Sequence, residues 1–284
     1  MDTATGMAMT MGRGNKGKYM RFVIDNGGQT CNKFWSYLEP LDKAIEGHKI
    51  SYILIPDKDL LNYPNLTSNE YIKFPFWSKS LSKIIGGGLY EKIVRYFVSP
   101  FVKIDRRFHL GLFRYGWESR LYHVSESHRP IIKEIFTPGK NIRDKVDKLF
   151  ESSIKGHKLV IGLHVRKGDY KYWLGGKYYF SDSEYNCVCK TIKKKFPDVM
   201  FFIASNEKIS KEMTSDLEYF SNIDGSAPED LYALSKCDYI LGPPSTFSYW
   251  AGFYGNKFIE YIEDPVNFSP SYNIGDTFRY IDRE

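Results

Sequence analysis

The chain has 284 residues, 42% of them hydrophobic and 26% charged, an ordinary globular composition that excludes a disordered protein. Its net charge of +6 favours an anionic partner, such as a nucleotide diphosphate, an anionic membrane face or a nucleic acid. No apolar run reaches the length of about 18 residues that a transmembrane helix needs. Four cysteines in a chain of this length predict no disulfide framework, so a reducing, cytoplasmic setting is expected.

Residues 1–19 are rich in Met, Gly and Thr and are expected to be a disordered leader or tag. After them, apolar patterns predict a strand over Phe22–Asp25, a helix over Cys31–Glu46 and a strand over Ser51–Pro56. Residues 63–141 are irregular, and we expect helices and loops that decorate the first domain.

The second half of the chain alternates more regularly, after a helix predicted over Arg143–Ser153. Further elements are expected as follows: strand Leu159–His164, a helix capped at Ser181 and ending before Pro197, strand Val199–Ala204, helix Pro228–Lys236, strand Tyr239–Gly242, helix Thr246–Tyr254 and strand Lys257–Tyr261. Such alternation predicts parallel sheets with crossover helices, hence an α/β fold. We divide it into an N-terminal domain, residues 20–150, and a C-terminal domain, residues 151–284.

The most informative segment is the loop that follows the strand at Leu159–His164. His164 and Arg166 are two residues apart, so both side chains are expected on one face of the sheet. Ligands bind at the carboxyl ends of parallel strands, and an arginine there can donate two N–H groups to a phosphate. Alternatively, Arg166 simply pairs with the nearby Asp169.

Three other segments accompany this loop. Gly27-Gly28 is followed by Asn32, the strand Val199–Ala204 ends in small polar residues, and Asp230-Leu231-Tyr232 precedes Ser245-Thr246-Phe247. In this order, and with His164-x-Arg166-x-Gly168-Asp169 between them, the motifs resemble those of the inverting fucosyltransferase superfamily, which comprises α-1,2, α-1,6 and protein O-fucosyltransferases. The resemblance covers roughly residues 20–260 and is closest to a bacterial or viral α-1,2 type.

The resemblance implies a role for each matching residue. Arg166 would bind the β-phosphate of the donor, and Ser245 and Thr246 would contact its phosphates. Phe247 would flank the base, and Asp230 would accept hydrogen bonds from guanine unless it is only a helix cap. His164 would contact the donor sugar or phosphate, or else support Arg166.

The first motif is less regular. Gly28 lets the backbone approach the donor closely, and Asn32 matches the family asparagine near the sugar and the acceptor hydroxyl. The family usually has Gly-Asn-Gln there, and this chain has Cys31-Asn32-Lys33. Asp25 and Glu39 flank the motif, but neither is identified as a general base.

No metal site is predicted. Asp57-Lys58-Asp59 has the spelling of an Asp-x-Asp motif but reads as a helix start, and Cys187-Val188-Cys189 lacks a second pair of ligands. We expect the positive charge to be spread along the chain, apart from a solvated cluster at Lys190–Lys195, and so expect no nucleic-acid partner.

The resemblance therefore implies a GT-B-like fold, with two Rossmann-type domains facing across a cleft. Residues 20–150 would form the acceptor-side domain, with residues 63–141 shaping the acceptor surface. Residues 151–284 would form the nucleotide-sugar-binding domain. The resemblance also implies an inverting, metal-independent and cofactor-free transfer of L-fucose from GDP-fucose to a saccharide hydroxyl. Two alternatives stay open: another nucleotide-activated sugar as donor, or a non-catalytic nucleotide- or glycan-binding protein. The expected partners are the donor and a glycan acceptor, and peripheral contact with a membrane stays open.

Overall fold

The structure is a computed structural model that describes residues 21–24, 29–47, 50–56, 58–115, 122–154, 156, 159–271 and 276–280. The expected leader lies outside the described residues, and so do Asp25, Gly27, Gly28 and Asp57.

The first half of the chain forms a four-stranded, all-parallel sheet in the order β3-β2-β1-β4. Its strands are β1 (Arg21–Ile24), β2 (Ser51–Ile53), β3 (Ile72–Lys73) and β4 (Phe113–Tyr115). The helices of this half are α1 (Thr30–Ile45), α2 (Pro64–Ser68), α3 (Phe76–Ile85), α4 (Gly87–Phe108), α5 (Arg129–Ile135) and α6 (Lys140–Ser153), with a 3-10 turn at Lys58–Asn62.

The second half forms a five-stranded, all-parallel sheet in the order β7-β6-β5-β8-β9. Its strands are β5 (Leu159–Val165), β6 (Val199–Ser205), β7 (Tyr219–Phe220), β8 (Tyr239–Gly242) and β9 (Ile259–Tyr261). Its helices are α7 (Asp182–Lys195), α8 (Ala227–Lys236) and α9 (Thr246–Gly255), with 3-10 turns at Gly168–Lys171 and Trp173–Gly176. Every residue of β5 is buried, as the central strand of a parallel sheet should be.

The two sheets share one aromatic core, which α1 and α9 form between them. The ring of Trp250 on α9 lies 5.1 Å from Phe34 and 5.2 Å from Trp35, both on α1. Trp35 also packs at 4.6 Å from Tyr249. The core is thus continuous from the first sheet to the second, although the sequence predicts two separate domains whose boundary at residue 150 stays a prediction.

The expectation for residues 63–141 is wrong in one respect. This segment contributes two strands of the first sheet, β3 and β4, where only helices and loops were expected. The strands span two and three residues, too few for an alternating apolar pattern to be visible. The segment also holds α4, a 22-residue helix that starts within the triple glycine and contains Pro100.

None of the helices in the described residues combines the length and the apolar character that crossing a bilayer requires. Cys187 is exposed and Cys189 buried on α7, and both thiols are free.

Candidate functional site

The carboxyl ends of β5 and β8 meet where the strand order of the second sheet reverses. The chain runs from β5 outward to β6 and β7 and then returns to β8 on the other side of β5. In open parallel sheets the crevice at such a reversal is where ligands bind. Arg166 follows β5 directly, and Pro243–Ser245 follow β8, so the two segments that the sequence singled out lie side by side.

A glycine permits this close approach. A Cβ on Gly242, the last residue of β8, would lie 2.7 Å from the carbonyl oxygen of His164 on β5. Gly168 in the loop after β5 has φ +57°, a left-handed conformation that side chains disfavour. The loop geometry therefore depends on both glycines.

The guanidinium of Arg166 is ion-paired through Nη2, whereas its Nε–H has no partner among the described residues. Its Nη2 lies 2.8 Å from Asp169 Oδ1, and its guanidinium carbon lies 5.4 Å from the centre of the Tyr170 ring. The side chain is only 12% exposed, whereas Asp169 is 61% exposed. The buried Nε–H has no hydrogen-bond acceptor among the described residues. Arg166 is thus a fixed cation at the edge of the sheet, and one of its N–H groups is left without an acceptor in the described part of the chain.

His164 lies behind Arg166 and is fully enclosed. Its Nδ1 shares a hydrogen bond of 2.7 Å with Ser248 Oγ on α9, and its ring lies 5.0 Å from that of Phe247. Burial, reinforced by the positive charge of Arg166, lowers the pKa of His164 to about 3. The imidazole is therefore neutral at physiological pH and links β5 to α9.

The amino-terminal turn of α9 faces the same edge. Ser245 is the N-cap, and its Oγ accepts a hydrogen bond of 3.2 Å from the Phe247 amide. Tyr170 donates its hydroxyl proton to the Pro244 carbonyl at 2.7 Å. The positive end of a helix thus lies next to the Arg166 loop, an arrangement that favours an anion.

Asn32 joins the site from the first half of the chain. Thr246 Oγ1 donates to Asn32 Oδ1 at 2.6 Å, across the junction of α9 and α1. The Trp35 indole N–H donates to the Thr246 carbonyl at 3.4 Å. Asn32, Thr246 and Arg166 are therefore at one side of the molecule, while Gly28 lies outside the described residues.

Asp230 lies in the first turn of α8, and this turn is capped by other residues. Ser226 is the N-cap, and the Glu229 carboxylate accepts from the Ser226 amide at 2.9 Å. Burial raises the pKa of Asp230 to about 7, with the neighbouring Glu229 adding to the rise and a hydrogen bond from Asn222 opposing it. A half-buried carboxyl that is not needed for capping is suited to receive a ligand.

The structure also explains a residue to which the sequence assigned no role. Lys167 is buried, and its Nζ donates to the Phe180 carbonyl at 2.6 Å and contacts Asp182 Oδ1 at 2.8 Å. Its amide donates to Asn206 Oδ1 at 2.9 Å. Lys167 thus anchors the loop that carries Arg166. The only sequence feature that could have indicated this role is the Arg166-Lys167 pair after a buried strand. The pair does not reveal which of the two side chains faces inward.

Two acidic residues considered from the sequence, Asp59 and Glu39, are engaged with protein groups. Asp59 accepts from Thr30 at 2.6 Å, and Glu39 is paired with Arg21 and Arg114.

Among the described residues, Asp42, Glu46 and His128 bring potential metal ligands within 4.8 Å of one another. Asp42, however, already accepts from Tyr122 at 2.7 Å and from the Ser125 amide at 3.2 Å, and it pairs with His128 at 2.9 Å. These hydrogen bonds attach α1 to residues 122–128, so the cluster has a structural role.

Two all-parallel sheets, with a cationic loop and a helix terminus at a strand-order reversal, define a GT-B-type α/β protein. The model of glycosyl transferase family 11 matches residues 104–269, more than half of the chain. The protein therefore belongs to glycosyl transferase family 11, a family of fucosyltransferases, and is a glycosyltransferase. No curated protein sequence matches the chain.

Solved structures share the fold at low sequence identity. The NodZ alpha-1,6-fucosyltransferase of Bradyrhizobium, soaked with GDP-fucose, is 17% identical with a TM-score of 0.52, covering 85% of this chain and 94% of that one. POFUT1 in complex with GDP is 10% identical with a TM-score of 0.51, covering 87% and 98%. A variant of Arabidopsis thaliana FUT1 in complex with GDP is 11% identical with a TM-score of 0.53, covering 86% and 71%.

Proposed function

We propose that this protein is an inverting, metal-independent fucosyltransferase that moves L-fucose from GDP-fucose to a saccharide hydroxyl. The observation that carries the proposal is the arrangement around Arg166: a nearly buried guanidinium with an unpaired Nε–H, adjacent to the amino-terminal turn of α9. Both features stabilise negative charge, which is what the departing diphosphate develops.

Different residues bind different parts of the GDP-fucose donor. Arg166 binds the β-phosphate, while Ser245, Thr246 and the exposed N–H groups of their turn contact the diphosphate. Phe247 flanks the base, and ionised Asp230 accepts the two N–H groups on one edge of guanine. NodZ and POFUT1, which share the fold, have been solved with GDP-fucose or GDP, which supports this choice of donor.

In the reaction, the acceptor oxygen forms a bond to the anomeric carbon as the bond from that carbon to the β-phosphate oxygen breaks. GDP leaves with the electron pair, and the proton of the acceptor hydroxyl passes to the departing diphosphate or to solvent. Asn32 lies at the α1–α9 junction, where it can orient the sugar or the acceptor. His164, whose pKa is about 3, is too weak a base to take the proton, so we assign it a positioning role through Ser248.

The test is a transfer assay with GDP-fucose and simple galactosides, run with and without EDTA, together with thermal stabilisation by a panel of nucleotides. We expect product in EDTA and stabilisation by GDP well above that by UDP or ADP. Activity that is abolished by EDTA and restored by Mn²⁺ or Mg²⁺ would contradict the metal-independent chemistry. Stabilisation by another nucleotide would indicate a different donor, and tight GDP binding without product would indicate a non-catalytic binder.

A further inference from the structure

Helices α3 and α4 carry an unusual amount of exposed apolar surface. Twelve of the twenty large apolar side chains that are exposed in the described part of the chain lie between residues 76 and 110. Phe76 is 85% exposed, Tyr96 76% and Phe97 66%. Isolated exposed apolar residues are normal, but a group of this size on two adjacent helices marks an interaction surface.

Helix α4 is apolar on two sides. Its inner side, which includes Tyr90, Val94 and Val102, is buried against the first sheet. A second stripe, spaced by four or seven residues, is exposed, and it consists of Leu89, Ile93, Phe97, Ile104 and Phe108. The inner stripe explains why the helix packs on the sheet, and the outer one serves nothing within the described fold.

The same two helices also carry an excess of positive charge. Residues 76–110 contain seven Lys and Arg against two Asp and Glu, a net of +5, although most of the chain's 40 Lys and Arg residues lie elsewhere. Both acids are engaged: Glu91 pairs with Arg95 at 2.8 Å, and Asp105 is buried and accepts two backbone N–H groups. Lys92 and Lys103 are exposed.

We propose that the α3–α4 surface, residues 76–110, docks on an anionic lipid bilayer. The outer apolar stripe of α4 would lie in the boundary between headgroups and acyl chains, with Lys92, Lys103 and Arg107 at the lipid phosphates. At 22 residues, α4 is about 33 Å long and can lie along the surface. A second copy of the chain fits less well, because a twofold contact would bring the same basic residues against each other. This inference goes beyond the transfer reaction and does not rest on it.

The test is co-sedimentation of the full chain with vesicles of phosphatidylcholine, with and without phosphatidylglycerol. One variant, Phe97→Glu/Ile104→Glu, replaces two apolar side chains of the outer stripe with carboxylates. Another, Lys103→Glu/Arg107→Glu, reverses two positive charges. The matched controls are Val266→Glu, an exposed apolar residue elsewhere, and Lys148→Glu/Lys194→Glu on α6 and α7. Circular dichroism and size-exclusion chromatography report folding and self-association of each variant.

We expect the wild type and both controls to bind only vesicles with phosphatidylglycerol, and high salt to weaken that binding. Each basic residue at an anionic surface contributes about fivefold in affinity, so the charge reversal should weaken binding at least about 20-fold. Absence of wild-type binding, or equal loss in the controls, would overturn the proposal. So would a wild-type dimer that becomes monomeric in the variants without any binding to vesicles, since the occupant would then be a second copy.

Discussion

Arg166 makes the sharpest prediction at the scale of single residues. We expect Arg166→Lys to lose about 10²–10³ in kcat although the charge is kept, because lysine offers one compact charge where the proposed contact with the leaving phosphate needs a planar set of donors. The measurement is kcat with GDP-fucose at saturating acceptor. Arg95→Lys, which also preserves charge at an ion-paired arginine, should keep wild-type turnover. Wild-type turnover in Arg166→Lys would remove this residue from the mechanism.

Asp230 makes a prediction about pH. In its proposed role Asp230 accepts two N–H groups of guanine, so binding would need the ionised carboxylate, and the pKa of Asp230 is about 7 in the free protein. GDP affinity should therefore fall about tenfold between pH 8 and pH 6. UDP lacks these two donors, so its affinity should not show this tenfold loss. Calorimetric titrations of both nucleotides measure the difference, and the shared titration of their phosphates cancels. In Asp230→Asn the difference should vanish.

The free protein supplies an independent check on the same carboxyl. The pKa of Asp230 is raised above its ordinary value of 3.8, so its ionisation opposes folding fully above about pH 7 and not at all below about pH 4. Asp230→Asn should accordingly raise the melting temperature at pH 8 and leave it unchanged at pH 4. An unchanged melting temperature at pH 8 would show that the carboxyl is well solvated.

At the scale of elements, the strand-to-helix turn after β8 depends on Gly242. We expect Gly242→Ala to destabilise the fold by about 1–3 kcal/mol, because its Cβ would lie 2.7 Å from the His164 carbonyl oxygen and would separate β8 from β5. The displaced turn should also bind GDP more weakly. Denaturant unfolding and GDP titration measure the two effects.

Gly88→Ala is the matched control, since a Cβ there meets no atom within 4 Å at the exposed start of α4. It should be neutral or slightly stabilising, because alanine is the better helix former. If both substitutions cost the same, the close approach of β8 to β5 is not what requires glycine at residue 242.

The second half of the molecule could be predicted almost element by element, and the first half could not. β5, β6 and β8 are long or central strands whose residues are nearly all buried, so each appears as an apolar run bounded by polar or capping residues. The helix cap at Ser181 was predicted, and the structure shows it as a capping box with Glu184. β3 and β4 are too short for such a pattern, and α4 is apolar on two sides, which obscures its helical period.

The candidate site shows the same limit. Its edge was predictable, because Arg166 directly follows the buried strand β5 and Ser245 lies three residues beyond the end of the buried strand β8. The partners were not: the Ser248 hydroxyl that bonds His164 lies 84 residues away, and Asn32 lies 214 residues from Thr246. Contacts of this separation depend on how the sheets pack, which no local pattern encodes.

At the scale of the whole molecule, the shared core of α1 and α9 makes a prediction about unfolding. Trp250 is 1% exposed and packs against Phe34, Trp35 and Phe136, which all belong to the first half of the chain. Because neither half can bury these rings alone, both should unfold together in one calorimetric transition. Trp250→Ala should lower the temperature of that single transition, because it reduces the free energy of unfolding by about 3–5 kcal/mol.

The control is Trp77→Ala on α3, where the ring is 47% exposed and its removal should change the transition little. Two transitions in the wild type would mean that each half has a sufficient core of its own. Splitting of the transition only in Trp250→Ala would show that this ring couples the halves. Because Asn32 and Thr246 meet at the same junction, such a split should also weaken GDP-fucose turnover, since the two sides of the site would no longer be held together.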